Sequence, residues 1–387
     1  ATTQRLSTVT LLCTLCAVHG LTDYAWLTAV GTRGTILRSD DAGSSWFPQV
    51  SGTNVTLRAV AMLSAREIVV VGDLATVLYS RNGGRKFVPL DVEGTSENLT
   101  AVDFVQSHLM FAVGLRGTII VCNLEEEVVC QSRASHVTVD LRSVIFIGNR
   151  VGFAFGDSGL CGPDGEISAE WCGQIGVANH TRTSVALRTF DSGIFWEMEK
   201  PGLETSFRVS TLEFDSASFN ILVAGVNENG TTLSRITPQA AKDSESGAQS
   251  WSWTNLVGPV NVPITFSAME MNATKVLGVG NDGVVVERVA EDTWEGRCQG
   301  LCSAIGHTDL TGVYLTNSRL VVVGGSTVFM LDKEVDAEKW TTRYTAETGV
   351  VLFGLAGRDD SDHNAAALLA PGQLLPLLVL AALACLA

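Results

Sequence analysis

The side chains with the most reactive chemistry in this 387-residue chain are its nine cysteines. Cys13 and Cys16 fall in an apolar N-terminal run and Cys385 in an apolar C-terminal one. The six between form local pairs: Cys122 with Cys130, Cys161 with Cys172, and Cys298 with Cys302. Only the last pair is tight enough for a zinc knuckle, and no second pair of that kind matches it, so disulfides are the expectation and no metal or cofactor is expected. Five Asn-x-Thr sequons at Asn54, Asn98, Asn179, Asn229 and Asn272 agree with an oxidising, glycosylating route.

The charged side chains set limits. Twenty-six basic against 41 acidic residues leave a net charge of −15, which disfavours a sequence-independent grip on nucleic acid or on anionic headgroups. Composition at 46% hydrophobic and 17% charged describes a chain able to bury a large core.

The ends read as processing signals. Arg5, the apolar stretch Leu6 to Val18 and the small residues near Gly20 have the order of a secretory signal over residues 1–20. The 14 apolar residues Leu374 to Ala387 follow a polar stretch and small residues. They are short for a span, and no basic cluster follows them. The expectation is a glycosylphosphatidylinositol (GPI) attachment signal over 365–387, with Asn364 as the attachment residue, Ser361 or Asp362 as alternates, and 357–364 as a tether.

Between the ends lies a repeat. A β-branched or small run ending in glycine recurs at Gly31, Gly72, Gly114, Gly156, Gly225, Gly280 and Gly324, at intervals of 41, 42, 42, 69, 55 and 44. Another strand precedes each run but the first, and a turn with a third strand follows several. Short strands with glycine turns at a period near 42 predict an all-β, seven-bladed β-propeller over 21–356. The first repeat lacks its inner strand, and Val350 to Ala356 has that pattern without a blade of its own, so the two ends are expected to pair and close the ring. The extra length is expected at Leu160 to Thr183, stapled by Cys161 and Cys172, and in a polar loop from Gln239 to Ser250.

In such a blade the connections from second to third strand share a rim with those entering the innermost strand. That rim collects Arg33, Asp73, Arg116, Asp157, Asn227, Asn281 and Asp282 from the first class, with Arg58 and Arg142 from the second. Arginines at matching positions would offer forked donors to a protein or glycan ligand, unless each pairs with a neighbouring aspartate. The closing strand exits on the opposite rim. The candidate face would therefore point away from the membrane, with the lipid anchor as the only membrane attachment and a tether of at most about 28 Å.

Ser39-Asp40-Asp41-Ala42-Gly43-Ser44-Ser45-Trp46 and Thr189-Phe190-Asp191-Ser192-Gly193-Ile194-Phe195-Trp196 fit S/T-x-D-x-G-x-x-W, and Ser80 to Phe87 is a softened copy with Asn82. These resemble the Asp box of sialidase-type repeats, a folding device in which the carboxylate accepts turn N–H groups and the aromatic packs between sheets. Blade three carries Cys122 and Cys130 at the equivalent turn, where a disulfide replaces the box. The stretch Val30 to Trp46 also resembles the repeat of the photosystem II stability and assembly factor family, which implies a non-enzymatic seven-bladed scaffold. Its plastid-lumen role is the weaker alternative, because sequons and a GPI-type tail do not suit a thylakoid lumen. A sialidase-like glycosidase or lectin is the other alternative. Such enzymes use an arginine triad and a tyrosine paired with glutamate, and no glutamate partner is evident for Tyr24, Tyr79, Tyr314 or Tyr344. The expectation is a GPI-anchored, cell-surface binding or scaffold protein without enzymatic activity.

Overall fold

The computed structural model describes residues 25–106, 108–125, 129–199, 208–215, 220–227, 230–239, 250–256, 265–271, 275–290, 293–299, 304–316, 319–332 and 340–359. The signal and tail segments, Asn364, Asn229, Asn272, Cys302 and residues 240–249 lie outside these.

The described strands form seven sheets. Sheet one holds Ala25–Gly31, Ile36–Ser39 and Phe47–Gln49, with Leu352–Asp359 paired antiparallel on the inner side of Ala25–Gly31. Sheet two runs outward through Leu57–Met62, Ile68–Gly72, Val77–Ser80 and Val88–Leu90. Sheet three begins with Leu99–Gln106 and sheet four with Leu141–Ile147. Sheets five, six and seven begin with Arg208–Asp215, Phe266–Met271 and Leu310–Leu315. The innermost strands touch one another in cyclic order, from Leu352–Asp359 through all six others and back.

Second strands such as Ile68–Gly72 are buried throughout, because sheets pack on both of their faces. That is why these strands read as unbroken apolar runs rather than alternating ones. Between sheets three and four, Phe111, Phe146 and Trp196 meet with ring centroids 4.9 to 6.1 Å apart.

Three turns between third and fourth strands share one hydrogen-bond pattern. In the first, Gly43 N–H donates to Ser39 Oγ at 2.9 Å and Ser45 N–H to Asp41 Oδ1 at 2.9 Å. Gly84 and Lys86 N–H do the same to Ser80 and Asn82, and Gly193 and Phe195 N–H to Thr189 and Asp191. Gly193 has φ +80°, and a Cβ there would lie 2.2 Å from the Phe111 ring of the neighbouring sheet. Glycine is therefore required both by backbone and by close approach. The aromatic after each turn, Trp46, Phe87 or Trp196, is buried between sheets.

At the corresponding place in sheet three a buried disulfide joins Cys122 and Cys130 across paired strands. The second disulfide, Cys161–Cys172, ties down the connection between Val151–Leu160 and Arg182–Thr189, which carries a short helix at Ala169–Gln174 capped by Ser168. Nothing is described of the Cys298 and Cys302 side chains.

Two features depart from the sequence reading. The strand expected at Val350 to Ala356 runs instead from Leu352 to Asp359. Val351 is held in the connection before it, accepting from Thr32 N–H at 2.9 Å and donating its own N–H to Thr32 Oγ1 at 2.9 Å. Sheet three gains a fifth strand, Val92–Glu93, which pairs parallel with Val129–Arg133 and covers the outer edge.

Candidate functional site

All seven innermost strands carry a β-bulge near the start of the ladder, and Arg58, Thr100, Arg142, Ser267, Thr311 and Phe353 are the bulged residues on six of them. A bulge re-aims the extra side chain. All six line the mouth of a central channel of about 580 Å³. Thr100 donates to Leu141 O at 2.6 Å and Thr311 to Leu352 O at 2.8 Å, bonds that join neighbouring sheets.

The two bulged arginines have equivalent partners. Arg58 Nε lies 2.5 Å from Asp73 Oδ1, and Arg142 reaches Asp157 through Nε at 3.3 Å and Nη2 at 2.9 Å. Arg142 Nη2 also contacts Asp140 at 3.1 Å. Each main partner is the residue following the glycine of the repeat, Gly72 or Gly156. The hydrogen bond to Asp157 holds the Arg142 guanidinium above its ordinary pKa, against the effect of burial.

The outer part of the rim is built by tight turns after the repeat glycine. Arg33, Arg116 and Asp282 occupy one position, with left-handed φ of +56°, +55° and +58°. The next sheet clamps these turns: Arg116 N–H donates to Asp140 Oδ1 at 3.0 Å, Asp282 N–H to Asp309 Oδ1 at 2.8 Å, and Leu74 N–H to Asn98 Oδ1 at 3.0 Å. Asn281 works in the reverse sense, its Oδ1 accepting from Thr265 N–H at 2.6 Å. Arg116, 75% exposed, lies 3.3 Å from Glu97, and Arg33 donates to Thr348 O at 3.2 Å. Asn227 ends the strand Asn220–Asn227.

The rim turns hold Arg33, Arg116, Asn281 and Asp282, and Arg58, Arg116 and Arg142 are each paired to a carboxylate. Asn54 and Asn179 are exposed in connections on the same rim, and Asn98 serves as a clamp. Three contributors were not singled out from sequence: Asp140, Asp309, and His307, whose Nδ1 lies 2.6 Å from Asp282 Oδ1. The signal for the two aspartates was an Asn or Asp immediately before the leucine that opens an innermost strand, as in Asn98-Leu99, Asp140-Leu141 and Asp309-Leu310.

Inside the channel wall Asp103 accepts N–H groups from Phe104 at 2.8 Å and Phe146 at 2.7 Å, yet burial pushes its carboxyl up to about 7. Tyr79 does have a glutamate partner, contrary to the sequence reading: its hydroxyl donates to Glu67 Oε1 at 2.8 Å. Tyr79 is only 5% exposed, however, and burial raises its pKa, the opposite of what activates a phenol as nucleophile. Among the described residues no cluster of His, Cys, Asp and Glu could hold a metal ion, and no helix is long and apolar enough to cross a membrane.

This geometry has solved counterparts. A structure described as YCF48 bound to D1 peptide aligns with TM-score 0.51 at 14% identity, covering 82% of this chain and 84% of its own. YCF48 from Cyanidioschyzon merolae gives 0.51 at 11% identity, covering 77% and 88%. The fold is that of an all-β propeller. A functionally unknown protein from Desulfotomaculum acetoxidans DSM 771 gives 0.53 at 12% identity, covering 85% and 99%. No family model matches the propeller sequence, and no curated protein matches it.

Proposed function

We propose that this chain is a GPI-anchored, seven-bladed Asp-box propeller at the cell surface. It binds a protein or glycan at the channel-mouth rim and acts as a scaffold without catalysis. The supporting observation is the repeated Arg–Asp pair, Arg58–Asp73 and Arg142–Asp157, set by equivalent bulges at the channel mouth. Such pairs hold guanidinium forks in place, so that a ligand carboxylate, amide or hydroxyl meets preorganised donors and acceptors together. Arg33 and Arg116 flank them at matching turns. That a fold neighbour was solved with a bound peptide agrees with a peptide as ligand. The burial of Tyr79 weighs against that residue as the nucleophile of the sialidase-like alternative.

The strand ending at Asp359 leaves on the rim opposite the arginines, which supports the reading of a binding face turned away from the bilayer. The test expresses the full chain in eukaryotic cells, releases it with phosphatidylinositol-specific phospholipase C, and crosslinks it to partners at the surface before release. Release by the phospholipase and loss of a crosslinked partner on Arg33→Ala plus Arg116→Ala are expected. Retention on the cells would remove the anchor, and an unchanged set of partners would remove the rim.

A further inference from the structure

We propose that the opposite rim carries a second, separate site: a pocket between sheets one and two that takes a phosphate or sulfate ester on a sugar-sized body. The pocket encloses about 360 Å³ and is lined by Trp26, Arg38, Ala65, Arg66, Arg81, Asn82, Gly83 and Arg85. That volume falls within the range of small-ligand sites. Four of the eight lining residues are arginines and none is a carboxylate, in a chain whose net charge is −15.

The four cations are differently held. Arg38 is 8% exposed, lies 5.1 Å from the centroid of the Trp26 ring, and has Asp40 at 3.1 Å on its other side. Arg81 is tied by the Leu124 and Glu125 carbonyls and lies over the Tyr79 ring at 5.3 Å. These two form a fixed floor and side. Arg66 and Arg85 are exposed and have no carboxylate partner among the described residues. Among the described acids near it, Asp40 is held by Arg38, Glu67 accepts the Tyr79 hydroxyl, and the Glu125 carboxylate lies 3.4 Å from His108.

The turn that presents Arg81 and Arg85 explains the lack of a carboxylate. In sheets one and four the acceptor of the turn is Asp41 or Asp191; here the same bonds are made to Asn82. The backbone geometry is kept while the negative charge is removed from the pocket wall. Forked guanidinium donors match the tetrahedral oxygens of a phosphate or sulfate better than they match a single carbonyl.

The ester has two possible sources, a soluble sugar ester or a lipid headgroup, and one experiment separates them. The full chain is titrated calorimetrically with a hexose phosphate and with inorganic sulfate. In parallel it is floated with phosphatidylcholine vesicles with and without phosphatidylinositol phosphate. The expected result is saturable binding that weakens about tenfold or more in Arg66→Ala/Arg85→Ala and is unchanged in Arg33→Ala/Arg116→Ala. Both arginines of the first variant are exposed, so its circular dichroism spectrum should match the parent. Binding of the free ester marks a soluble source, and binding of the doped vesicles alone marks a headgroup. No binding of any probe up to roughly 10 mM, full retention in Arg66→Ala/Arg85→Ala, or equal loss in both double variants would overturn the site.

Discussion

Arginines on the two rims meet different partners. At the channel mouth Arg58, Arg116 and Arg142 each face a carboxylate supplied by a turn or a neighbouring connection. On the opposite rim Arg66 and Arg85 meet no carboxylate among the described residues, because the turn beside them carries Asn82 where its counterparts carry aspartate. The difference arises not from the arginines but from what the repeat places opposite them. A paired arginine is held and discriminates by geometry; a bare one attracts by charge.

The largest expected effect concerns the lower rim's support. Arg81 is anchored on the carbonyls of Leu124 and Glu125, in the turn closed by Cys122–Cys130. Replacing both cysteines by alanine should cost about 2.5 kcal/mol, the loop-closure entropy of a ring of this size. Chemical denaturation of the double variant measures it. The anion pocket should weaken with it while the channel mouth stays intact; an effect confined to stability would show that Arg81 holds its place without the disulfide.

A middle-sized effect separates the rims by stability alone. Arg142→Ala removes hydrogen bonds to both Asp157 and Asp140 at a position whose side chain is 27% exposed, and should cost about 1–2 kcal/mol. Arg66→Ala touches no such network and should stay within about 0.5 kcal/mol of the parent. Equal losses would erase the distinction between structural and ligand-facing arginines.

How far these features could be read in advance depends on the range of the forces involved. The repeat glycines, the S/T-x-D-x-G-x-x-W turns and the two disulfides are local, and their spacing alone placed them. The pairing of Ala25–Gly31 with Leu352–Asp359 was legible because one repeat lacked a strand and one strand lacked a repeat; its strand starts two residues later than expected, after the Thr32–Val351 bonds. The added strand Val92–Glu93 left no periodic trace, since two residues carry no pattern. At the rim the arginines were legible by position, but the clamps were not. Asp140 and Asp309 act through backbone N–H groups of the preceding sheet, so their role exists only once the sheets stand side by side. The lower pocket was hidden for the same reason: Arg38 belongs to sheet one and Arg66, Arg81 and Arg85 to sheet two.

The smallest effect is the most diagnostic. Burial works to raise the Asp41 carboxyl, but donors from Ser45, Ser39 and Ser44 outweigh it and hold the pKa below its ordinary value, so the first turn carries a full negative charge at neutral pH. Asn82→Asp installs that charge in the second turn with no change in the bonds from Ser80 Oγ, at 3.0 Å, and Lys86 N–H, at 2.9 Å. Stability should change by less than about 0.5 kcal/mol. A new charge several ångströms from Arg81 and Arg85 in a wet pocket is worth about 0.5–1 kcal/mol, so affinity for a hexose phosphate should fall about two- to fivefold. The loss should shrink as salt is raised, because the added charge is solvent-exposed. An unchanged affinity at low salt would mean that the missing carboxylate is incidental, and the contrast between the rims would then rest on Arg66 and Arg85 alone.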